Sequence, residues 1–328
     1  RTMYRVMLSY PLFGSGMRRL EQETDLFVTG CGELAPYEAQ FLQADAFITR
    51  NVHPDKALIA KTTKLKVIGI PGVGYQGYDL EDLTNRGIAL VYCPGMNGRS
   101  VAEHAMGLVY ALTKQIVRDD REVKAGNYAI RNAFDHMELS GARAGIAGFG
   151  QIGRETAKLF RGSGMEVWIY DPFAKPEQAQ ALGCRYCETL DELLENVKIL
   201  SLHMPSLSTT YHMFSAKEFA RMPKGSYLIN CARGSVVDET ALYEALESGQ
   251  LAGAGLDVME HEPFDVGNPL LQLSNVIFTP HVAGVTAQAS ERTHALVVDS
   301  TLSLLKGKAV SNLANPDVLK HPRWTEVL

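Results

Sequence analysis

Three side chains in the C-terminal half of the sequence carry complementary chemistry. His281 stands in Thr279-Pro-His-Val-Ala-Gly284. An imidazole titrates near neutrality, which suits reversible proton transfer to a carbonyl oxygen. Glu262 stands in Glu260-His-Glu-Pro263. A carboxylate hydrogen-bonded to an imidazole holds the ring's orientation and favours its protonated form. Arg233 stands in Asn230-Cys-Ala-Arg-Gly234. A guanidinium fork matches a carboxylate and a neighbouring carbonyl oxygen. Each residue follows a short apolar run, at 226–230, 252–257 and 276–279. Ligands of open α/β sheets gather at such strand ends.

A fourth motif handles phosphate. Gly148-Phe-Gly150-Gln151-Ile152-Gly153 is a GxGxxG, which alone is weak in a chain with 29 glycines. Its context is specific. It follows an apolar run at 144–147 and opens a helical stretch at 152–161. A second strand-like run then ends at Asp171, 18 positions after Gly153 and close to the roughly 20 expected of a ribose-binding acid. Gly148 permits the tight turn, Gly150 lets backbone approach a pyrophosphate, and Gly153 lets helix pack on strand. The helix start offers N–H groups and a positive dipole end to the phosphates. Asp171 accepts from ribose hydroxyls and repels a 2′-phosphate, and Pro172 follows it rather than an arginine. NAD is therefore expected over NADP.

These residues need a scaffold, and the pattern supplies one. Strand-like runs at 4–8, 46–49, 66–70 and 89–92 alternate with helical stretches such as 54–63 and 78–86. A second alternation adds runs at 144–147, 166–170, 199–202, 226–230, 252–257 and 276–279, with helices at 152–161, 188–196 and 239–248 between them. Between the two alternations, Gly95-Met-Asn-Gly98 reads as a break. Ser100 with Glu103 reads as a capping box opening one buried helix over 101–117. The tail at 288–306 is helical in period and is expected to pack back on the first region. The fold class is α/β, with two doubly wound parallel-sheet domains. The expected division is 1–98 with 287–328, and 99–286.

Bulk properties narrow the class. A chain of 328 residues suits two ordinary domains, and 46% hydrophobic with 21% charged residues fills two cores. A net charge of -5 gives no reason to expect nucleic acid or an anionic membrane as partner. No apolar run nears the roughly 20 residues that span a bilayer, and the start lacks a signal peptide's apolar core. Cysteines at 31, 93, 184, 187 and 231 form no regular framework, so reduced thiols and a cytoplasmic setting are expected. Cys184-Arg-Tyr-Cys187 has neither the second ligand pair that zinc needs nor a thioredoxin-like context, so it reads as structural and no metal is expected.

Taken together, the motifs resemble the D-isomer-specific 2-hydroxyacid dehydrogenase family. The resemblance runs through Val73-Gly74, Ser100-Val-Ala-Glu103, the glycine fingerprint, His203-Met-Pro205, Asn230-Cys-Ala-Arg-Gly234, Gly255-Leu-Asp257-Val, Glu262-Pro263 and Thr279-Pro-His281, over roughly residues 45–290. It implies a Rossmann-type cofactor domain, a flavodoxin-like substrate domain built from both chain ends, and an active site in the cleft between them. It implies Arg233, Glu262 and His281 as the catalytic set. Its implied NAD contacts are Val73, Gly148, Gly150, Gln151, Ile152, Gly153, Asp171, Met204, Pro205, Cys231, Asp257, His281 and Gly284, with Asp257 on the nicotinamide amide. Its implied substrate contacts are Gly72, Val73, Gly74, Arg233 and, after the phosphoglycerate dehydrogenases, Arg50. A homodimer paired through the cofactor domain is also implied.

The sequence departs from the family in one loop. Gln76-Gly77 stands where the family often has Asp-Asn, and this loop lies near the expected substrate contacts. Arg50 reads equally well as a phosphate contact and as a surface arginine at a strand end. The length leaves no room for the regulatory domain of many phosphoglycerate dehydrogenases, so 3-phosphoglycerate oxidation and hydroxypyruvate or glyoxylate reduction stay open. Glu262 argues against the formate dehydrogenase branch, which has Gln there. Two other functions compete. An NAD(H)-sensing corepressor resembles the same family but carries extra partner-binding segments. An adenosylhomocysteine hydrolase-like enzyme lacks the Arg–Glu–His set. His203 reads as a packing or helix-start residue, and nothing in the spacing recommends His212.

Overall fold

Short runs of apolar and β-branched residues, the central ones sealed on both faces, form strands that pair in parallel with their neighbours. The computed structural model describes residues 3–30, 34–50 and 52–325. They divide into two compact units, Arg1–Asn97 with Val285–Leu328, and Gly98–Gly284.

The first unit holds β1 (Arg5–Leu8), β2 (Asp25–Val28), β3 (Ala46–Ile48), β4 (Val67–Gly69) and β5 (Ala89–Val91). Their order, β2-β1-β3-β4-β5, is that of a flavodoxin-like sheet. Alternate residues serve opposite faces. Val6, Ile48, Val67 and Val91 pack with Val297, Val298 and Leu302 of the helix Ala287–Leu305. Met7, Phe47, Ile68 and Leu90 pack with Phe41, Ile59 and Leu83. The chain after residue 285 thus completes this unit's core, down to Trp324, whose indole N–H donates to the Gly87 carbonyl at 3.0 Å.

The second unit holds β6 (Arg143–Ala147), β7 (Glu166–Tyr170), β8 (Arg185–Tyr186), β9 (Ile199–Leu202), β10 (Ser226–Asn230), β11 (Leu251–Leu256) and β12 (Val276–Phe278). The order β12-β11-β10-β9-β6-β7-β8 is the doubly wound Rossmann arrangement. One face carries Ile146, Ile169, Ile199 and Ile229 against Val101, Leu108 and Leu112 of the helix Gly98–Thr113. The other carries Leu200, Leu228 and Leu256 against Leu193, Phe219 and Leu242.

Two expectations need correction. The helix begins at Gly98, so Ser100 is a buried residue inside it and not its cap. Glu103 instead pairs with Arg99 at 2.7 Å, one turn back. The run 101–117 is not one helix. It stops at Thr113, Gln115 takes a left-handed conformation (φ 51°), and a second helix runs Ile116–Lys124 with Ile116 and Val117 exposed. Strand β2 and the two-residue β8 were not foreseen.

Candidate active site

Strands β10, β11 and β12 are neighbours, so the loops that follow them meet at one edge of the second unit's sheet. Arg233 follows β10, Glu262 follows β11 and His281 follows β12. Nδ1 of His281 lies 2.6 Å from Oε2 of Glu262, and the other carboxylate oxygen accepts the Met259 N–H at 3.1 Å. Both side chains are about half exposed, at 49% and 39%. Burial alone would raise the Glu262 carboxyl. The hydrogen bond and charge of His281, the Met259 N–H and the charge of Arg233 outweigh it and hold the group below its ordinary value. Arg233 is affected in turn: burial lowers it, and the Glu262 charge offsets part of that. One of its Nη groups donates to the Ala232 carbonyl at 2.7 Å. A shielded guanidinium beside an ionised carboxylate–imidazole pair can bind an organic carboxylate and move a proton.

Asp257, at the end of β11, is the hub of the His281 turn. It is 2% exposed. Its Oδ1 accepts from the Thr279 hydroxyl at 2.5 Å and the Val282 N–H at 2.9 Å, and its Oδ2 from the Ala283 N–H at 2.9 Å. Its carbonyl accepts the His281 N–H at 2.8 Å. His281 sits in the left-handed region (φ 54°), which a non-glycine residue adopts only when its surroundings fix it.

The glycine fingerprint joins β6 to the helix Gln151–Gly162. Gly148 has φ 94°, and a Cβ there would sit 2.5 Å from the His203 carbonyl oxygen. A Cβ at Gly153 would overlap the Gly148 carbonyl. A Cβ at Gly150 meets nothing within 4 Å, and no side chain caps the helix start. That open approach to uncapped N–H groups fits a dinucleotide pyrophosphate. Asp171, at the end of β7, reaches back so that Oδ2 accepts the Phe149 N–H at 2.6 Å. Its carboxylate thus stands beside the fingerprint, where a ribose diol would bind. Ile152 lies in the first turn of that helix, and Gln151 begins it. Met204 and Cys231 are buried, and burial pushes the Cys231 thiol well above its usual range. Pro205 follows β9, and Gly284 closes the second unit.

Other expected contacts lie in the first unit. Arg50 follows β3, and Gly72, Val73 and Gly74 form the turn after β4, with the Gly72 carbonyl accepting the Cys93 N–H at 2.7 Å. Cys184 and Cys187 are buried free thiols either side of β8, and burial pushes Cys187 up to about 12. Cys31 lies outside the described residues. Among the described residues no group of three or more His, Cys, Asp or Glu could hold a metal ion.

Two histidines behave unlike the sequence reading. Nε2 of His212 lies 2.6 Å from Oε1 of Glu260, which also accepts from the Tyr211 hydroxyl at 3.2 Å. This second imidazole–carboxylate pair stands two residues from Glu262. Its partners come from loops 48 positions apart, so no spacing signal could reveal it. His104, on the helix Gly98–Thr113, was also missed: its Nε2 lies 2.9 Å from the Thr279 hydroxyl. His203 has the packing role expected. Its Nε2 meets the Ser201 hydroxyl at 2.8 Å, Nδ1 is buried without a partner, and burial holds the ring neutral with a pKa of about 3.

Comparison with known proteins gives the family. Residues 106–283 match the model of the D-isomer specific 2-hydroxyacid dehydrogenase, NAD binding domain, which is more than half of the chain. The chain belongs to the D-isomer specific 2-hydroxyacid dehydrogenase family. NAD is accordingly the cofactor of the second unit. Among family relatives, a D-3-phosphoglycerate dehydrogenase of Archaeoglobus fulgidus is 37% identical over 86% of this chain. This chain spans about half (52%) of that protein's length. A glyoxylate reductase of Thermococcus litoralis is also 37% identical, over 84% of this chain and 85% of its own. The crystal structure of a D-lactate dehydrogenase from Aquifex aeolicus, complexed with NAD and lactic acid, superposes with a TM-score of 0.84. It is 29% identical, over 95% of this chain and 99% of that one. Among the described residues no helix is long and apolar enough to cross a membrane.

Proposed function

We propose that this family member interconverts a D-2-hydroxy acid and its 2-keto acid, with hydride transfer to or from NAD. The observation that carries the reading is the 2.6 Å His281–Glu262 pair beside the half-buried guanidinium of Arg233. In reduction Arg233 holds the substrate carboxylate. His281, its Nδ1 held by Glu262, gives its Nε2 proton to the keto oxygen. In oxidation it takes that proton back. Bound nicotinamide supplies or accepts the hydride at the 2-carbon. Gly72, Val73 and Gly74 are assigned to the substrate carboxylate, Arg50 to a substrate phosphate where one is present, and Val73 with the fingerprint residues, Met204, Pro205, Cys231, Asp257 and Gly284 to the cofactor. The relatives' names support two substrate classes, phosphorylated and unphosphorylated short keto acids.

The proposal includes a homodimer paired through the second unit and a cytoplasmic setting. The pairing is supported by an apolar surface on one stretch of that unit, where Ile116, Val117, Val123, Tyr128 and Phe134 are all exposed. Exposed patches of this kind mark interfaces. Light scattering of the wild type and of Phe134→Glu checks it: a dimer that the substitution dissociates is expected, and a wild-type monomer rejects the pairing.

The activity is tested by NADH consumption with hydroxypyruvate, glyoxylate, pyruvate, phenylpyruvate, 2-ketoisocaproate and phosphohydroxypyruvate, with Arg233→Ala as control. Turnover that the control abolishes is expected. Tight NADH binding without turnover of any keto acid defeats the reading. A preference for phosphohydroxypyruvate that Arg50→Ala removes assigns Arg50 its role.

A further inference from the structure

The Thr279 hydroxyl has one proton and two close polar neighbours. It stands 2.5 Å from Oδ1 of Asp257 and 2.9 Å from Nε2 of His104. Both oxygens of Asp257 accept backbone N–H groups, and the Thr279 hydroxyl donates its proton to Oδ1. The hydroxyl oxygen must then accept from His104, whose Nε2 therefore carries a proton. A directed chain results, from His104 Nε2–H to the Thr279 hydroxyl to the Asp257 carboxylate. His104 Nε2 is also 3.6 Å from Asp257 Oδ1, with its side chain 24% exposed and that of Asp257 1% exposed. The far end of the chain holds the turn that carries His281. Asp257 binds three members of the turn 279–283 through its side chain, and the His281 N–H through its carbonyl.

We propose that His104 is a positioning residue for His281. It fixes the Thr279 hydroxyl, which fixes Asp257, around which the left-handed turn carrying the imidazole is wrapped. The proposal rests on the dehydrogenase reading for its kinetic consequence, and on hydrogen bonds within the second unit for its geometry. His104 has helical backbone and touches neither reacting atom in this scheme, so its loss acts on turnover and not on the affinity for the keto acid.

The test compares His104→Leu, His104→Gln, Thr279→Val and the Leu–Val double variant in the full chain, each matched by melting temperature to the wild type. Misplacement by a fraction of an ångström lowers kcat by about tenfold or more in His104→Leu, with KM for the keto acid within about twofold. His104→Gln, whose amide N–H can still donate to Thr279, recovers most of the loss. The double variant is no worse than the poorer single one, because both break one chain. Wild-type kcat in His104→Leu, or additive losses in the double variant, overturns the proposal. Nitrogen NMR of the His281 imidazole separates this outcome from failure of the function. If the wild type turns over no keto acid, the dehydrogenase reading falls. Shifted His281 resonances in His104→Leu then uphold the positioning chain, and unshifted ones defeat it.

Discussion

The two sheets are sealed alike and finished differently. Strands β3, β4 and β5 of the first unit and β9 and β10 of the second are all buried along their length, so both cores rest on the same apolar physics. Their strand-end loops diverge. In the first unit these loops have neutral contacts (Ser9 Oγ to Thr49 Oγ1 at 2.9 Å, Thr49 Oγ1 to the Val52 carbonyl at 2.7 Å, and the edge-to-face Tyr75–Tyr92 pair at 5.2 Å) and a Lys56–Asp79 ion pair at 2.5 Å, with no carboxylate–imidazole pair among these contacts. In the second they are tied by carboxylates: Asp171, Asp257, Glu260 and Glu262 each bind a neighbouring loop or ring. One architecture thus serves twice, and chemistry enters where carboxylates and imidazoles are paired in the loops.

The contrast makes Arg233→Ala the most damaging change, lowering kcat/KM by about a thousandfold or more. Arg50→Ala on the first unit costs under about tenfold with keto acids that lack a phosphate. Equal losses, read from steady-state kinetics of both variants, would erase the difference between the loop sets. Next comes the acid–base pair: His281→Gln lowers kcat by about a hundredfold or more, and Glu262→Gln by less, since an amide oxygen still accepts from the ring. The Glu262 carboxyl is held below its ordinary 4.5, so its contribution to stability is present above that pH and is lost only as pH falls through the lower folded value. The melting-temperature gap between wild type and Glu262→Gln should therefore be flat through neutrality and close under acid. A gap that already closes near neutral pH counts against the pairing.

A smaller effect concerns the cofactor. Asp171→Ser removes the charge that opposes a 2′-phosphate, so the NADPH-to-NADH ratio of kcat/KM rises by about tenfold or more. An unchanged ratio moves the ribose contact elsewhere. The smallest effect is on stability. His203 is buried neutral with a pKa of about 3 against an ordinary 6.5, so the unfolded chain binds its proton first as pH falls. Stability drops between those values by up to about 1.4 kcal/mol per pH unit. His203→Gln flattens that limb in urea titrations run at stepped pH. An unchanged slope assigns the acid sensitivity to other groups.

Much of this was legible because local pattern and tertiary role agree. The runs at 199–202 and 226–230 are apolar blocks between turn signals, and they are strands over those residues. The fingerprint, Asp171 and the Arg–Glu–His set carry motif spacing that survives folding. Other features left no such trace. Strand β2 alternates exposed and half-buried residues at a sheet edge, so Asp25–Val28 has no apolar block to notice. Ile116 and Val117 continue the helical apolar period past Thr113, which hid the break at Gln115. Ser100 and Glu103 have capping spacing, but the helix had already begun. His212 and His104 meet Glu260 and Thr279 only because separate strands end side by side.

The return of the chain after residue 285 has a consequence for how the molecule is made. Val6, Ile48, Val67 and Val91 are synthesised before the second unit, yet their covering residues Val297, Val298 and Leu302 are synthesised after it. The second unit is one uninterrupted stretch and can close as soon as it is out. The first unit is thus completed only after the second unit has been made, with residues 1–97 waiting for 285–328. A released chain truncated after Gly284 should resist protease over residues 98–284 and be cut within 1–97, whereas a chain that also carries 285–328 should be protected in both.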